Sequence, residues 1–291
     1  MSTHANDSTG TLSAEALASL PGLVAANAHL RVACAEVGGR RVWIKRYDVE
    51  RMPYGKVLHA LASPLLPMFL RSSARAQGQA GLERERNKME RFRTAGFPVA
   101  GIVYSEPSVL VLSDVGATAQ KRLGDLLCVD AAAHDDLLVK LARALGEAHR
   151  AGLCHGRPHP RDMFLQDDRV GFLDFEEEPE AVMDLSMAQA RDLWLLFLQI
   201  SSRAALPGTQ MRAFSAWRGA APAAVVPALS RLVGFFHRWM TPLRLLPENL
   251  LGKDALYAVQ ATSFLKSALD AAPASASSLQ ATGRERPRGQ S

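Results

Sequence analysis

The stretch that decides the fold is Leu153–Glu178, LCHGRPHPRDMFLQDDRVGFLDFEEE. Two short apolar runs, 163–165 and 170–173, flank a polar segment, and this pattern predicts a β-hairpin. Asp162 precedes the first predicted strand and Asp174 follows the second, so the hairpin brings two distant carboxylates together. Converging carboxylates need a cation or a proton, and phosphate-bound Mg²⁺ is one natural occupant. A surface hairpin with solvated acids is the alternative interpretation of this stretch taken alone.

The segment resembles the catalytic and metal-binding motifs of the protein-kinase-like fold, where an H-x-D-x-x-x-x-N loop precedes a hairpin and a D-F-G motif. His155 matches the loop histidine, Asp162 stands at the metal-binding asparagine, and Asp174 matches the aspartate of D-F-G. Within that fold, the pattern resembles the small bacterial kinase-like proteins grouped with the lipopolysaccharide core kinases, which phosphorylate Kdo or heptose on lipid A–core. Their third motif also tends to end in an acid, as Glu176 does here.

One position departs from that pattern. The catalytic-loop aspartate of the family orients the acceptor hydroxyl and takes its proton, and it is expected two residues after His155, where this chain has Arg157. Arginine cannot act as a general base at ordinary pH. The resemblance therefore implies a nucleotide-binding kinase fold more directly than it implies the usual chemistry. Asp162 and Glu176 are candidates for part of the missing role, and Arg157 is a candidate for holding an acceptor or the γ-phosphate.

The N-terminal part carries two further matches. Alternating apolar residues around Gly38-Gly39 predict a hairpin, whose second strand, RRVWIKRY, contains Lys45. It resembles the kinase strand whose lysine pairs with the α- and β-phosphates. The resemblance implies a glutamate partner on a predicted helix over 81–95, and Glu85 matches best, with Glu83 as runner-up. A solvent-facing lysine and a solvated acid are the alternatives. No G-x-G-x-x-G precedes Lys45, so the phosphate lid is missing or replaced around 23–29.

Strands predicted over 99–103 and 109–112, around a turn at 105–107, lead to Ser113-Asp114-Val115-Gly116. The family has its interlobe hinge here, so the resemblance implies that backbone groups of Ser113 and Val115 hold the adenine. We expect an α+β, two-lobed protein-kinase-like fold. Its N-lobe, 14–114, is small and mostly antiparallel β with one main helix, and its larger C-lobe, 115–270, is mostly α. Residues 1–13 and 271–291 are predicted to be a disordered N-terminus and tail.

The predicted C-lobe contains the clearest helical periodicity of the chain, over 130–151, and this helix leads to the loop at His155. The resemblance implies that His155 is a hydrogen-bonded structural residue, although a general base is the alternative. It also implies that Asp192, in the apolar helix predicted over 187–200, caps the backbone of that loop. A water-facing Asp192 is the alternative. His159 either contacts phosphate or fills the proline-rich turn.

Composition narrows the class of partner. The chain has 291 residues and a net charge of +5, which suits anionic partners such as nucleotides, phosphorylated lipids and membrane surfaces. Nucleic acid is not expected, because no basic motif is interleaved with aromatic residues. The three cysteines lack metal-site spacing, and no signal sequence or membrane span is recognised. We therefore predict a cytoplasmic protein, with possible peripheral contact at the inner membrane. Residues 48–79 are either a membrane-surface or lipid-acceptor insert or, more simply, a packing helix and loop.

These observations give one leading hypothesis. The chain is predicted to be an ATP-dependent, Mg²⁺-using kinase-like phosphotransferase acting on a lipopolysaccharide core sugar or a related envelope glycolipid. The predicted catalytic residues are Asp162, Arg157 and Asp174, with Asp162 and Asp174 as metal ligands and Lys45, Glu85, Ser113 and Val115 as nucleotide contacts. The alternatives are a pseudokinase that binds nucleotide or a protein partner without turnover, and a Ser/Thr protein kinase-like enzyme.

Overall fold

The structure is a computed structural model that describes residues 13–49, 78–241 and 252–271. In these ranges the N-terminal helices and strands are α1 (Ala14–Ala26), β1 (Val32–Val37), β2 (Arg40–Arg46), α2 (Gly78–Thr94), β3 (Ile102–Glu106) and β4 (Val109–Ser113). The later ones are α3 (Ala119–Leu127), α4 (Ala131–Arg150), β5 (Met163–Gln166), β6 (Arg169–Phe172), α5 (Leu185–Arg203), α6 (Thr209–Ala220), α7 (Val225–Met240) and α8 (Lys253–Ala271).

The N-terminal strands form one antiparallel sheet in the order β1-β2-β4-β3. Side chains alternate across the sheet, so Val42 and Ile44 of β2 face one side while Trp43 and Lys45 face the other. Val42 and Ile44 are buried in a cluster with α1, which covers that face. Lys45 is therefore on the face turned away from α1, the same side of β2 as Trp43.

The β-hairpin predicted around the polar turn at 166–169 is present. β5 and β6 pair antiparallel from Met163 with Phe172 to Gln166 with Arg169. The two turn residues, Asp167 and Asp168, have positive φ angles of 48° and 63°, the conformation that a two-residue hairpin turn requires. The backbone N–H of Leu173 donates to the carbonyl oxygen of Asp162 at 2.8 Å, which closes the base of the hairpin.

The main core lies in the helical C-terminal part. Side chains of α4, α5, α6, α7 and α8 pack into one hydrophobic cluster. Its fully buried members include Leu141, Leu193, Phe197 and Trp217. Met89 and Phe92 of α2 belong to the same cluster, so this helix joins the sheet to the helical part. Ring centroids of Phe92 and Phe175 are 4.7 Å apart, which anchors the residue after Asp174 against α2.

The predicted α+β, two-lobed architecture is confirmed by this arrangement: a small antiparallel sheet with one main helix, α2, precedes a larger helical part. The predicted boundary between residues 114 and 115 stays a prediction. The predicted disordered ends lie outside the described residues, apart from Ser13 and Ala271. The predicted insert at 48–79 also lies outside them, apart from its first two and last two residues.

One local prediction is wrong. β3 begins at Ile102 and continues through Glu106, which pairs with Val109, so the turn is at Pro107-Ser108 rather than 105–107. Val99 instead bridges to Phe172 of the hairpin. The segment 23–29 is the end of α1 and a turn, and Val24 packs on the sheet face opposite Lys45. Of the two alternatives for the phosphate lid, this position favours a missing lid over a replacement in this segment.

Within the described ranges, no helix combines the length and the apolarity needed to cross a bilayer.

Candidate functional site

The centre of the site is the ammonium group of Lys45. Its Nζ atom donates to both oxygens of Glu85, at 2.7 and 3.0 Å, and to Asp174 Oδ1 at 2.7 Å. Glu176 Oε1 lies 3.0 Å from the same nitrogen. Sequence order placed Lys45, Glu85 and Asp174 far apart, and the structure brings all three together. The runner-up, Glu83, instead accepts a hydrogen bond from Gln79 on the outside of α2.

Burial makes this cluster electrostatically strong. Burial by itself lowers the pKa of Lys45, but Glu85, then Asp174, outweigh it, and the pKa lies well above its ordinary value. Burial likewise raises the pKa of Asp174, but Lys45 and Arg157 outweigh it and lower it to about 2. Lys45 and Asp174 are therefore both charged at neutral pH.

Tyr47 is a second partner of Glu85 that the sequence argument missed. Its hydroxyl donates to Glu85 Oε2 at 2.5 Å. Tyr47 follows Lys45 by two positions along the strand direction, which places both side chains on the same face. That spacing was the available signal. Glu85 is consequently fixed from two sides while it orients Lys45.

The loop before the hairpin is held by one buried acid. Asp192 on α5 accepts from the backbone N–H groups of His155, at 2.6 Å, and Gly156, at 2.9 Å. The ring of His155 lies between the loop and the hairpin, with Nε2 donating to the carbonyl oxygen of Leu173 at 2.9 Å. Burial lowers the pKa of His155. The capping role of Asp192 and the structural role of His155 are confirmed.

His159 ends the loop in a similar way. Its Nδ1 atom accepts from the backbone N–H of Arg161 at 3.1 Å, which caps the short 3₁₀ turn Pro160–Asp162. Burial, followed by the charge of Arg161, lowers the pKa of His159 to about 4. A neutral ring that caps a turn favours the spacer interpretation over the phosphate contact.

Arg157 points back into the site. Its Nη2 atom lies 3.4 Å from Asp174 Oδ2, and its Nε atom lies 3.9 Å from Glu177 Oε1. The side chain is 42% exposed, so the guanidinium has a solvent-facing side as well. The residue that stands in place of the expected base is thus an internal counter-ion of Asp174.

Asp162 lies at the entrance to the hairpin and is mostly buried. Burial, and then the charge of Asp174, raises its pKa from 3.8 to about 6. The hydrogen bond from the Leu173 N–H to the Asp162 carbonyl oxygen, at 2.8 Å, brings the backbones of the two predicted metal ligands together at the base of the hairpin. Arg161 Nε is 3.4 Å from its carboxylate.

Replacing Asp162 with Asn is expected to stabilise the protein near neutral pH but not in acid. The folded chain binds this proton more tightly than the unfolded chain, so the contribution to stability is present below pH 4 and lost as pH rises through about 6. About two pKa units at 1.36 kcal/mol each give a gain on the order of 3 kcal/mol at pH 8. Urea unfolding across pH 4–8 measures it, with Asp125→Asn controlling for loss of an exposed charge. A difference between wild type and Asp162→Asn that does not change with pH would contradict it.

The resemblance implies that the site uses Mg²⁺, so the acids around Lys45 should be arranged as ligands of a divalent ion. Glu85, Asp174 and Glu176 offer oxygens within 4.8 Å of one another. The space that they surround is taken by Lys45 Nζ, which lies within 3.0 Å of an oxygen of each. Arg157 covers the second oxygen of Asp174. As arranged, these residues do not fit a resident divalent ion, and the assignment of Asp162 and Asp174 as its ligands stays a prediction.

The acidic segment after Asp174 is clamped to α2. Lys88 is buried and donates to the carbonyl oxygen of Glu177 at 2.7 Å, and it also lies 3.2 Å from Glu180. Arg84 pairs with Glu178 at 3.2 Å. Lys88 is one helical turn after Glu85, so the same face of α2 serves both contacts. Sequence reasoning missed this clamp, although the run of acids opposite a basic helix was its signal.

The predicted hinge follows β4. Ser113 Oγ accepts from the backbone N–H of Gly101 at 2.8 Å, and Val115 packs at the edge of the main core. Between them, Asp114 accepts from the indole N–H of Trp43 at 2.7 Å. Trp43 is two residues before Lys45 and shares its face of the sheet. The structure thus places residues 113–116 beside the Lys45 face of the sheet, while their role as a hinge and the adenine contacts of Ser113 and Val115 stay predictions.

No protein-family model matches the sequence, and no curated protein matches it. Solved structures that match include the Rio2 kinase from Chaetomium thermophilum, at 14% identity and a TM-score of 0.36, covering 88% of this chain and 79% of that one. The MAP kinase LmaMPK10 from Leishmania major matches at 14% identity and a TM-score of 0.33, covering 89% and 87%. Likenesses this distant carry no argument about activity or substrate, so the functional argument rests on the site itself.

Proposed function

We propose that this chain binds a nucleoside triphosphate, ATP in the first instance, and transfers its γ-phosphoryl group to an alcohol. The observation that supports this most strongly is the ammonium of Lys45, held between Glu85 and Asp174 at 2.7 Å from each. A buried, oriented cation of this kind suits the phosphates of a nucleotide. Phosphoryl transfer needs mainly positioning and charge neutralisation, which this cluster provides.

The transfer step follows from these groups. The acceptor hydroxyl oxygen bonds to the γ-phosphorus as the bond to the bridging oxygen breaks, and ADP leaves with that electron pair. Arg157 cannot take the hydroxyl proton, so the proposal gives that role to Asp162, whose pKa of about 6 suits a base near neutral pH. Lys45 and Arg157 neutralise charge on the phosphates.

The acceptor is proposed on sequence grounds. The motif resembles the lipopolysaccharide core kinases, and a net charge of +5 suits a phosphorylated glycolipid. A core sugar or a related envelope glycolipid is therefore the first acceptor to offer. A protein serine or threonine is the next, and peripheral contact with the inner membrane from the cytoplasm would suit the glycolipid.

A second candidate function has its own observation. Arg157 at the position of the expected base, 3.4 Å from Asp174, favours a pseudokinase that binds nucleotide or a protein partner without turnover. A pseudokinase that binds nucleotide shares the nucleotide site with the leading candidate and differs from it only in turnover, whereas one that binds only a protein partner does not use this site.

The experiment is a melting-temperature series followed by a transfer assay. ATP is expected to raise the melting temperature of the wild-type chain with concentration, because it binds only the folded state. Lys45→Met is expected to abolish the rise, and Lys121→Met, a change of an exposed lysine on α3, to preserve it. No rise at saturating ATP would overturn the nucleotide site. If ATP raises the melting temperature but no labelled γ-phosphate is transferred to glycolipid, protein or water, the chain is a nucleotide-binding pseudokinase.

A further inference from the structure

We propose that the guanidinium of Arg157 takes the place of a divalent cation at Asp174, so that the site binds a nucleoside triphosphate without Mg²⁺. The inference rests on the proposed nucleotide site and deepens it. Arg157 is the residue for which the sequence predicts contact with either an acceptor or the γ-phosphate.

Both carboxylate oxygens of Asp174 are already paired with cationic side chains. One of its oxygens bonds Lys45 Nζ at 2.7 Å and the other lies 3.4 Å from Arg157 Nη2. A metal ligated by Asp174 would have to displace one of these cations. Mg²⁺ loses its water reluctantly and requires near-octahedral oxygen ligands, which makes such displacement unfavourable.

The acids near Asp174 also have cationic partners. Glu176 pairs with Lys45 and with Arg31, and Asp162 lies 3.4 Å from Arg161. Glu85, Asp174, Glu176 and Asp162 therefore each have a cationic side chain within ion-pair distance. These acids are neutralised by side chains of the protein, so none of them needs a metal ion as its counter-charge.

The guanidinium group of arginine can bind a carboxylate and a phosphate at the same time. A guanidinium presents several N–H donors in one plane and pairs with carboxylate and phosphate alike. Two nitrogens of Arg157 face Asp174 and Glu177, and 42% of its side chain remains exposed. It is therefore placed to bridge Asp174 and a nucleotide phosphate, which is the geometry that a bound metal ion provides in other phosphate sites.

The test compares ATP affinity in EDTA and in excess Mg²⁺ by calorimetry. Wild type is expected to bind ATP in both buffers with dissociation constants within about threefold. Arg157→Gln removes the charge, so its affinity in EDTA is expected to fall at least about tenfold, with Mg²⁺ restoring most of it. Arg143→Gln, an exposed arginine on α4 paired with Glu147, is the matched control and is expected to behave as wild type.

A second measurement uses a metal alone. Mn²⁺ is titrated against nucleotide-free protein and the free ion is counted by electron paramagnetic resonance. Wild type is expected to retain little Mn²⁺, and Arg157→Gln is expected to bind it measurably, because Asp174 then lacks its guanidinium partner. Arg157→Asp is expected to bind more Mn²⁺ than Arg157→Gln, because it also adds a carboxylate ligand. The melting temperature of each variant checks that it is folded.

The outcomes separate the two claims. ATP binding by wild type only when Mg²⁺ is present would overturn this inference and leave the proposed nucleotide site intact. No ATP binding in either buffer would overturn both. Equal retention of Mn²⁺ by wild type and by Arg157→Gln would also overturn the inference, since Arg157 would then not exclude a metal.

Discussion

Replacing Lys45 with methionine is expected to destabilise the protein by about 3–5 kcal/mol at pH 7, the range for removing one partner of a buried ion pair. Methionine keeps most of the side-chain volume, so the loss is one of charge. It leaves Glu85, 1% exposed, without its cation. Burial already raises the pKa of Glu85, and the missing lysine removes the main group that opposes that rise.

The pH dependence of this loss identifies its cause. With Lys45 absent, Glu85 can be buried at lower free energy only by taking up a proton, so the deficit of Lys45→Met is expected to shrink as the pH falls toward 4. Urea unfolding at several pH values measures it. The double variant Lys45→Met/Glu85→Gln is expected to recover part of the stability at pH 7, because no buried charge is then left unpaired.

The matched control is Lys121→Met, since Lys121 is 65% exposed and pairs with Asp125 on α3. Exposed pairs contribute about 0–1 kcal/mol, so this variant is expected to stay close to wild type. If Lys45→Met were as stable as Lys121→Met, the buried cluster would not exist in solution as the structure has it.

Replacing Asp192 with alanine is expected to cause the second large loss of stability against unfolding. The backbone N–H groups of His155 and Gly156 would lose their shared acceptor in a site where Asp192 is 0% exposed. An orphaned buried donor costs about 1–3 kcal/mol, so two give a loss of about 2–6 kcal/mol. Asp192→Asn is expected to recover only part, because its amide nitrogen cannot accept from either N–H.

Amide hydrogen exchange measures this effect at the atoms concerned. Protection of the His155 and Gly156 amides is expected to fall in Asp192→Ala far more than protection in the helices of the main core. Asp136→Ala, which removes an exposed acid of α4 paired with Arg212, is the control. Unchanged protection at His155 and Gly156 would show that the loop does not depend on this cap.

Much of the fold follows from local patterns in the sequence. The glycine pair between β1 and β2 and the polar turn between β5 and β6 predicted both hairpins, because such turns need residues that tolerate positive φ angles. The apolar spacing over 130–151 predicted α4 because one face of that helix is buried. The wrong turn before β4 arose because strand pairing extends to Glu106, which depends on the partner strand rather than on local propensity.

What the sequence determined at the site was the identity and order of Lys45, Glu85, Asp162 and Asp174, together with the arginine at position 157. Motif order was enough for this, because each residue lies in a recognisable local element. The tertiary structure decided how they are paired: Glu85 over Glu83, Tyr47 as the second partner of Glu85, and Arg157 on Asp174. These pairings join residues 17 to 40 positions apart, and the contact of Lys45 with Asp174 joins residues 129 positions apart. All of them depend on how the sheet, α2 and the hairpin pack together, which no local pattern records.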